Sequence, residues 1–169
     1  FGSDHPNVAR DVNNLGQLMQ VTDRIAQAEP LMRRALAIHE KSLGADHPSV
    51  ATSLNNLAWL LQNSNRVTEA EPLYRRAVTI FEKSLGADHP DTLGAMHNLA
   101  NAYRAAGRSS EALALGEESL RLCAQQVEKL NEAIRSSPDD LKSINERALT
   151  HARMENFQQA AADYARSIA

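Results

Sequence analysis

The triplet Asp-His-Pro occurs three times at a fixed spacing of 42 residues, as Asp4-His5-Pro6, Asp46-His47-Pro48 and Asp88-His89-Pro90. No other feature limits the fold so strongly, because a constant period of this length means one small supersecondary unit stacked on copies of itself. Residues 1–42 and 43–84 align without a gap, with 23 of 42 positions identical, and the octet Lys41 to Pro48 returns unchanged at 83–90. In such an array each unit buries its apolar face against its neighbours and not around a single centre.

The unit itself reads as a helix pair. In the second copy Leu54, Leu57, Ala58 and Leu61 are three or four apart, which is one buried helical stripe. A second stripe runs through Ala70, Leu73, Tyr74, Ala77, Val78, Ile80 and Phe81, and the polar segment Asn63-Ser64-Asn65-Arg66 between them is turn-prone. The linker stops one helix and starts the next. Leu43-Gly44 supplies a last apolar contact and a glycine stop, and Pro48 has φ preset for a first helical residue. Asp46 places a carboxylate beside the free N–H groups of that helix end. Pro30 and Pro72 fall in the second turn of the second helices, where a kink or an irregular first turn is expected.

Composition narrows the class. Seven glycines, six prolines and an excess of alanine and leucine favour helix over sheet. A net charge of −3 with no basic stripe argues against a nucleic-acid binder. No apolar run nears the ~20 residues that span a bilayer, and no secretory signal opens the chain. The lone Cys123 cannot form an internal disulfide, so a soluble protein of a reducing, cytoplasmic compartment is expected.

The words Asn55-Asn56-Leu57-Ala58, Glu69 to Ala77 (Glu-Ala-Glu-Pro-Leu-Tyr-Arg-Arg-Ala) and Leu-Gly-Ala-Asp-His-Pro resemble the tetratricopeptide repeat, in the 42-residue variety found in kinesin light chains. That family places small residues at three positions of each unit, with a large aromatic near the second helix, a place where the third unit has Gly116 instead. The positions hold Gly16, Ala28 and Ala35 with Met32; Ala58, Ala70 and Ala77 with Tyr74; and Ala100, Ala112 and Ser119 with Gly116. A fourth, shorter unit is laid from Pro138 onward over Ala148, Ala160 and Ser167, with Phe157 and Tyr164. The resemblance implies an all-α fold: an α-solenoid of antiparallel helix pairs, a right-handed superhelix of about four units at 1–42, 43–84, 85–137 and 138–169. Units three and four are 48 residues apart and lack the linker. With no breaker between Ser110 and Ser137, one helix of ~27 residues, roughly 40 Å long, is expected there.

In this family the first helices line a concave face on which extended peptides of partner proteins bind. That face would present Asn13, Gln17 and Gln20, then Asn55, Trp59 and Gln62, then His97, Asn101 and Arg104. Amide side chains suit the backbone of an extended peptide, and tryptophan is a frequent binding hot spot. The second asparagines, Asn14, Asn56 and Asn98, are expected to bond an adjacent helix instead. A clamp for a peptide carboxylate is not expected, since Arg10, Arg104 and Lys142 are scattered. The pairs Arg33-Arg34 and Arg75-Arg76 read as a solvated outer face.

Other functions fare less well. Metal ligands must converge at about 2 Å, and Asp-His copies one repeat apart cannot. Nothing in the sequence forms an acid–base, nucleophile or phosphate-binding constellation, so neither catalytic residues nor a cofactor is expected. Two alternatives stand beside peptide binding. One is self-assembly as a homodimer through terminal helices bearing Phe157, Tyr164 and Ile168. The other is an accessory region of a larger multidomain signalling or effector protein, with this chain a fragment of a longer array.

Overall fold

A computed structural model describes residues 5–21, 24–138 and 140–166. Among these the chain is seven helices without a strand: α1 (Pro6–Val21), α2 (Ile25–Leu43), α3 (Pro48–Asn63), α4 (Val67–Leu85), α5 (Pro90–Ala105), α6 (Ser109–Ser136) and α7 (Leu141–Arg166). They divide into two compact units, Phe1–Ala102 and Tyr103–Ala169. No described helix is long and apolar enough to cross a membrane.

In each Asp-His-Pro linker the histidine side chain accepts from the start of the following helix. Pro6, Pro48 and Pro90 are the first residues of α1, α3 and α5. Ahead of α3, His47 is extended (φ −77°, ψ 141°) and is the N-cap, its Nδ1 accepting from the Ser49 N–H at 3.1 Å. The same bond runs from Asn7 to His5 at 3.1 Å and from Asp91 to His89 at 3.2 Å. The expected Asp46 cap is therefore corrected: the residue next to the proline, held out of the helical region by the proline ring, is the one whose side chain reaches the free N–H groups. Substituting His47 by alanine should cost about 1 kcal/mol, the usual worth of a cap, whereas asparagine should restore most of it. Urea midpoints of the two variants check this.

The closing signals also repeat. Gly44 and Gly86 end α2 and α4 with φ of 90° and 100°, and their N–H groups bond Glu40 and Glu82 carbonyls. Inside the pairs, Arg24, Arg66 and Arg108 each donate a backbone N–H to the carbonyl five residues earlier, at 2.8–2.9 Å. The residue just before the last two arginines, Asn65 or Gly107, takes a left-handed φ of 59° or 76°. Residues that tolerate this conformation are what let the chain reverse there.

Packing follows the repeat. In the first unit α1 lies on α2, α3 on α4, and α3 also on α2; in the second, α6 lies on α7. The small residues Ala28, Ala35, Ala58, Ala70 and Ala77 are fully buried, as are Leu54, Leu57, Leu60 and Leu61. A Cβ at Gly16 would stand 2.8 Å from the Met32 Cγ, so the close approach of α1 to α2 depends on the missing side chain. In the equivalent place to Met32, Tyr74 is fully buried and its hydroxyl has no partner among the described residues; burial pushes its pKa up.

Three expectations need amendment. The helices run unbroken through Pro30 and Pro72. Each proline is the sixth helical residue, so it removes one N–H near the helix start and leaves the first turn intact. Arg76 stays partly solvated but is not free: it reaches back from α4 to the Glu40 carboxylate of α2 at 2.6 Å, while Arg33 pairs within its own helix with Glu29 at 2.7 Å. Lastly, α6 is a 28-residue helix, but the segment after it is one helix, α7, and not a pair. The reason is chemical. Glu155 stands where the second and third units have Asn65 and Gly107, and glutamate does not favour a left-handed φ.

Candidate functional site

The sequence-selected positions lie on α1, α3 and α5 at helical spacings of four and three, which sets each trio on one face of its helix. Gln17 and Arg104 are exposed, and Asn55, Gln62, His97 and Asn101 are half-buried. Trp59 is 44% exposed, unusual for the largest apolar side chain. Asn13 departs from the pattern: only 6% exposed, it is part of the helix-packing layer and does not offer a free amide. The side chain of Gln20 lies outside the described residues. Arg104 falls in the second unit, after Ala102, whereas the other eight belong to the first. The side chains of Phe157 and Tyr164, and Ile168 altogether, also lie outside the described residues.

Two clefts of similar size open between successive first helices. One, of about 300 Å³, lies between α1 and α3 over a floor that includes His39 and Ser53. The other, of about 320 Å³, lies between α3 and α5 over Phe81 and Ala95. His39 and Phe81 are 42 residues apart, and so are Ser53 and Ala95. The two clefts are thus one site built twice, and Thr52 is a wall of both.

Their chemistry differs. In the second cleft Asn98 Nδ2 donates to Asn55 Oδ1 at 3.0 Å, so a rung of amides joins α5 to α3. This is the bond expected of the second asparagine in each pair. In the first cleft the equivalent rung is incomplete: Asn13 Oδ1 is buried and has no partner among the described residues. An unsatisfied buried acceptor is destabilising by about 1–3 kcal/mol. On the floor, His39 is 7% exposed and its Nδ1 lies 2.8 Å from Ser53 Oγ. Burial is the main cause that pushes the His39 pKa below the ordinary histidine value; a hydrogen bond to the Pro6 carbonyl opposes it. The ring nitrogen and the serine hydroxyl thus satisfy one another inside the layer.

Reading residue types along one helix missed His39, Ser53, Phe81 and Thr52. Alignment of the units was the available signal, since a polar residue opposes an apolar one at two positions inside otherwise apolar stripes. Elsewhere the buried Cys123, in the second unit, has its thiol pushed up to about 11 by burial, which leaves it a poor nucleophile.

Antiparallel helix pairs repeated with the same caps, turns and small-residue contacts define an all-α helical-repeat solenoid. A family model described as tetratricopeptide repeat matches residues 8–83 and 61–125, and the chain belongs to that family. It is a tetratricopeptide repeat protein of the kinesin-light-chain type. It is similar to the solved "putative kinesin light chain nearly identical TPR-like repeats" of Podosopora anserina, at 26% identity over 96% of this chain and 91% of that one, with a TM-score of 0.65. A variant of the same repeat protein gives the same figures. It is also similar in fold to BtubC (BKLC) from P. vanneervenii, at 19% identity and a TM-score of 0.67, covering 96% of this chain and 60% of that one. No curated protein sequence matches.

Proposed function

We propose that this chain is a binding module that captures an extended segment of a partner protein along the face of α1, α3 and α5. The tetratricopeptide fold is a general protein–protein interaction scaffold, and a repeat surface of this kind makes contacts in series and not one catalytic pocket. The observation that carries the reading is the exposed indole of Trp59 on α3, four residues after Asn55, on the helix that walls two adjoining clefts lined in part by asparagine, threonine and serine. A flat aromatic ring gives an extended chain a large apolar contact, and amide side chains can donate to and accept from its backbone. The bond between Asn98 and Asn55 holds two of these groups in fixed positions before any ligand arrives, which lowers the ordering entropy of binding.

The test uses a random peptide library displayed on phage, selected against the intact chain. Peptides should be enriched, and Trp59→Ala should weaken the selected peptides about 30-fold or more while the helical circular dichroism stays unchanged. No enrichment, or equal affinity of Trp59→Ala, would refute the reading.

A further inference from the structure

The geometry points to a charged anchor in the captured segment: a lysine or arginine whose alkyl stem lies in the α3–α5 cleft and whose cationic head meets the Asp91 carboxylate. This assignment deepens the peptide-binding reading and rests on it.

The groups that would hold the anchor reach solvent. Asp91 is the second residue of α5, and its side chain is 63% exposed. Among the described residues that line the cleft it alone carries a formal charge. His89 Nδ1 lies 3.9 Å from the carboxylate, yet it accepts the Asp91 N–H at 3.2 Å and so brings no proton to it. One turn further along the same face is Gly94, exposed, where an added Cβ would meet nothing within 4 Å. Carboxylate and open space therefore lie side by side. A long side chain laid over Gly94 can cover apolar surface toward Ala95 and Phe81 while its head stays wet beside Asp91.

The other first helices do not repeat this pairing. At steps of 42 residues Asp91 corresponds to Ser49 and Asn7, and Gly94 corresponds to Thr52 and Arg10. The α1–α3 cleft thus has a guanidinium where the α3–α5 cleft has a gap. Arg10 is 65% exposed, and its contact with the adjacent Asp11 is long, at 3.4 Å. Among its described lining residues that cleft offers a cation a like charge and no carboxylate. One basic residue is therefore drawn to the α3–α5 cleft and away from its neighbour, which fixes the register of the segment. Both charges are solvated, so the preference is several-fold and falls with salt.

The experiment selects the random phage peptide library on the intact wild-type chain and on Asp91→Ser, which installs the residue α3 carries at the same position. Wild-type peptides should share one Lys or Arg position, and selection on Asp91→Ser should lose it while the helical circular dichroism is the same. Synthetic peptides differing only as lysine or norleucine there should bind the wild type with a ratio of about five in dilute buffer. The ratio should fall toward one at about 1 M salt, where the screening length is about 3 Å. Asp91→Ser should show no preference at either ionic strength. Enriched peptides without a shared basic position, or a lysine preference that survives in Asp91→Ser, would overturn the assignment and leave the binding reading intact. Failure of the wild type to enrich any peptide would overturn both.

Discussion

Substitution of Leu57 by alanine is expected to destabilise the first unit by about 3 kcal/mol, within a range of roughly 2–5 kcal/mol for fully buried leucines. Leu57 is completely buried in α3, the helix that packs on both α2 and α4. Truncation of a fully buried side chain leaves a void that well-packed walls close only in part. In a repeat array the loss counts further, because each helix pair depends on interface energy with its neighbour. Against a typical total of about 5–15 kcal/mol, this is a large fraction. The expected readout is a lower urea midpoint with little change in slope. Trp59, two residues later on the same helix but 44% exposed, serves as the control. Trp59→Ala should change stability by less than about 1 kcal/mol, as surface substitutions usually do. Equal losses at the two positions would contradict the placement of α3.

The second expectation concerns the linker glycines, and it predicts opposite signs within one residue type. Gly86 has φ 100° and ψ 156°, and Gly44 has φ 90° and ψ 156°, a region that side-chain-bearing residues almost never occupy. Gly44→Ala and Gly86→Ala should each cost about 2 kcal/mol, within the range for such backbone strain. Crowding is not the cause: a Cβ at Gly44 meets nothing within 4 Å, and at Gly86 it comes only to 3.4 Å from an Asp88 carboxylate oxygen. Gly94 lies inside α5 with open space around it, so Gly94→Ala should stabilise by about 0.5–1 kcal/mol through helix propensity. Thermal melts of the three variants distinguish the cases, and a gain at Gly86 would refute the observed linker geometry.

Much of this architecture was readable from residues alone. A period of 42 placed the helix starts at Pro6, Pro48 and Pro90 and the stops at Gly44 and Gly86, because proline and glycine act on φ locally and need no tertiary context. The buried stripe through Leu54, Leu57, Ala58 and Leu61 followed from helical geometry in the same way. What escaped depends on direction within a single turn. Asp46 and His47 are adjacent, both able to cap, and only the bond to Ser49 distinguishes them. Asn13 and Asn55 are equivalent in sequence, yet one is buried with no partner for its oxygen among the described residues and the other is bonded by Asn98. The unbroken course of α7 could have been inferred from Glu155, whose backbone preference conflicts with the turn its neighbours make.

Arg66 grips Glu29 and Glu69 at 2.7–2.8 Å, and Arg76 holds Glu40 at 2.6 Å, so both ties between α4 and α2 are partly solvated ion pairs. Such pairs weaken as ionic strength shortens the screening length, while the buried contacts of α2 and α4 with α3 do not. The joint between these two helices therefore behaves as a spring whose stiffness is set by the surrounding electrolyte, firm in dilute buffer and more compliant in brine.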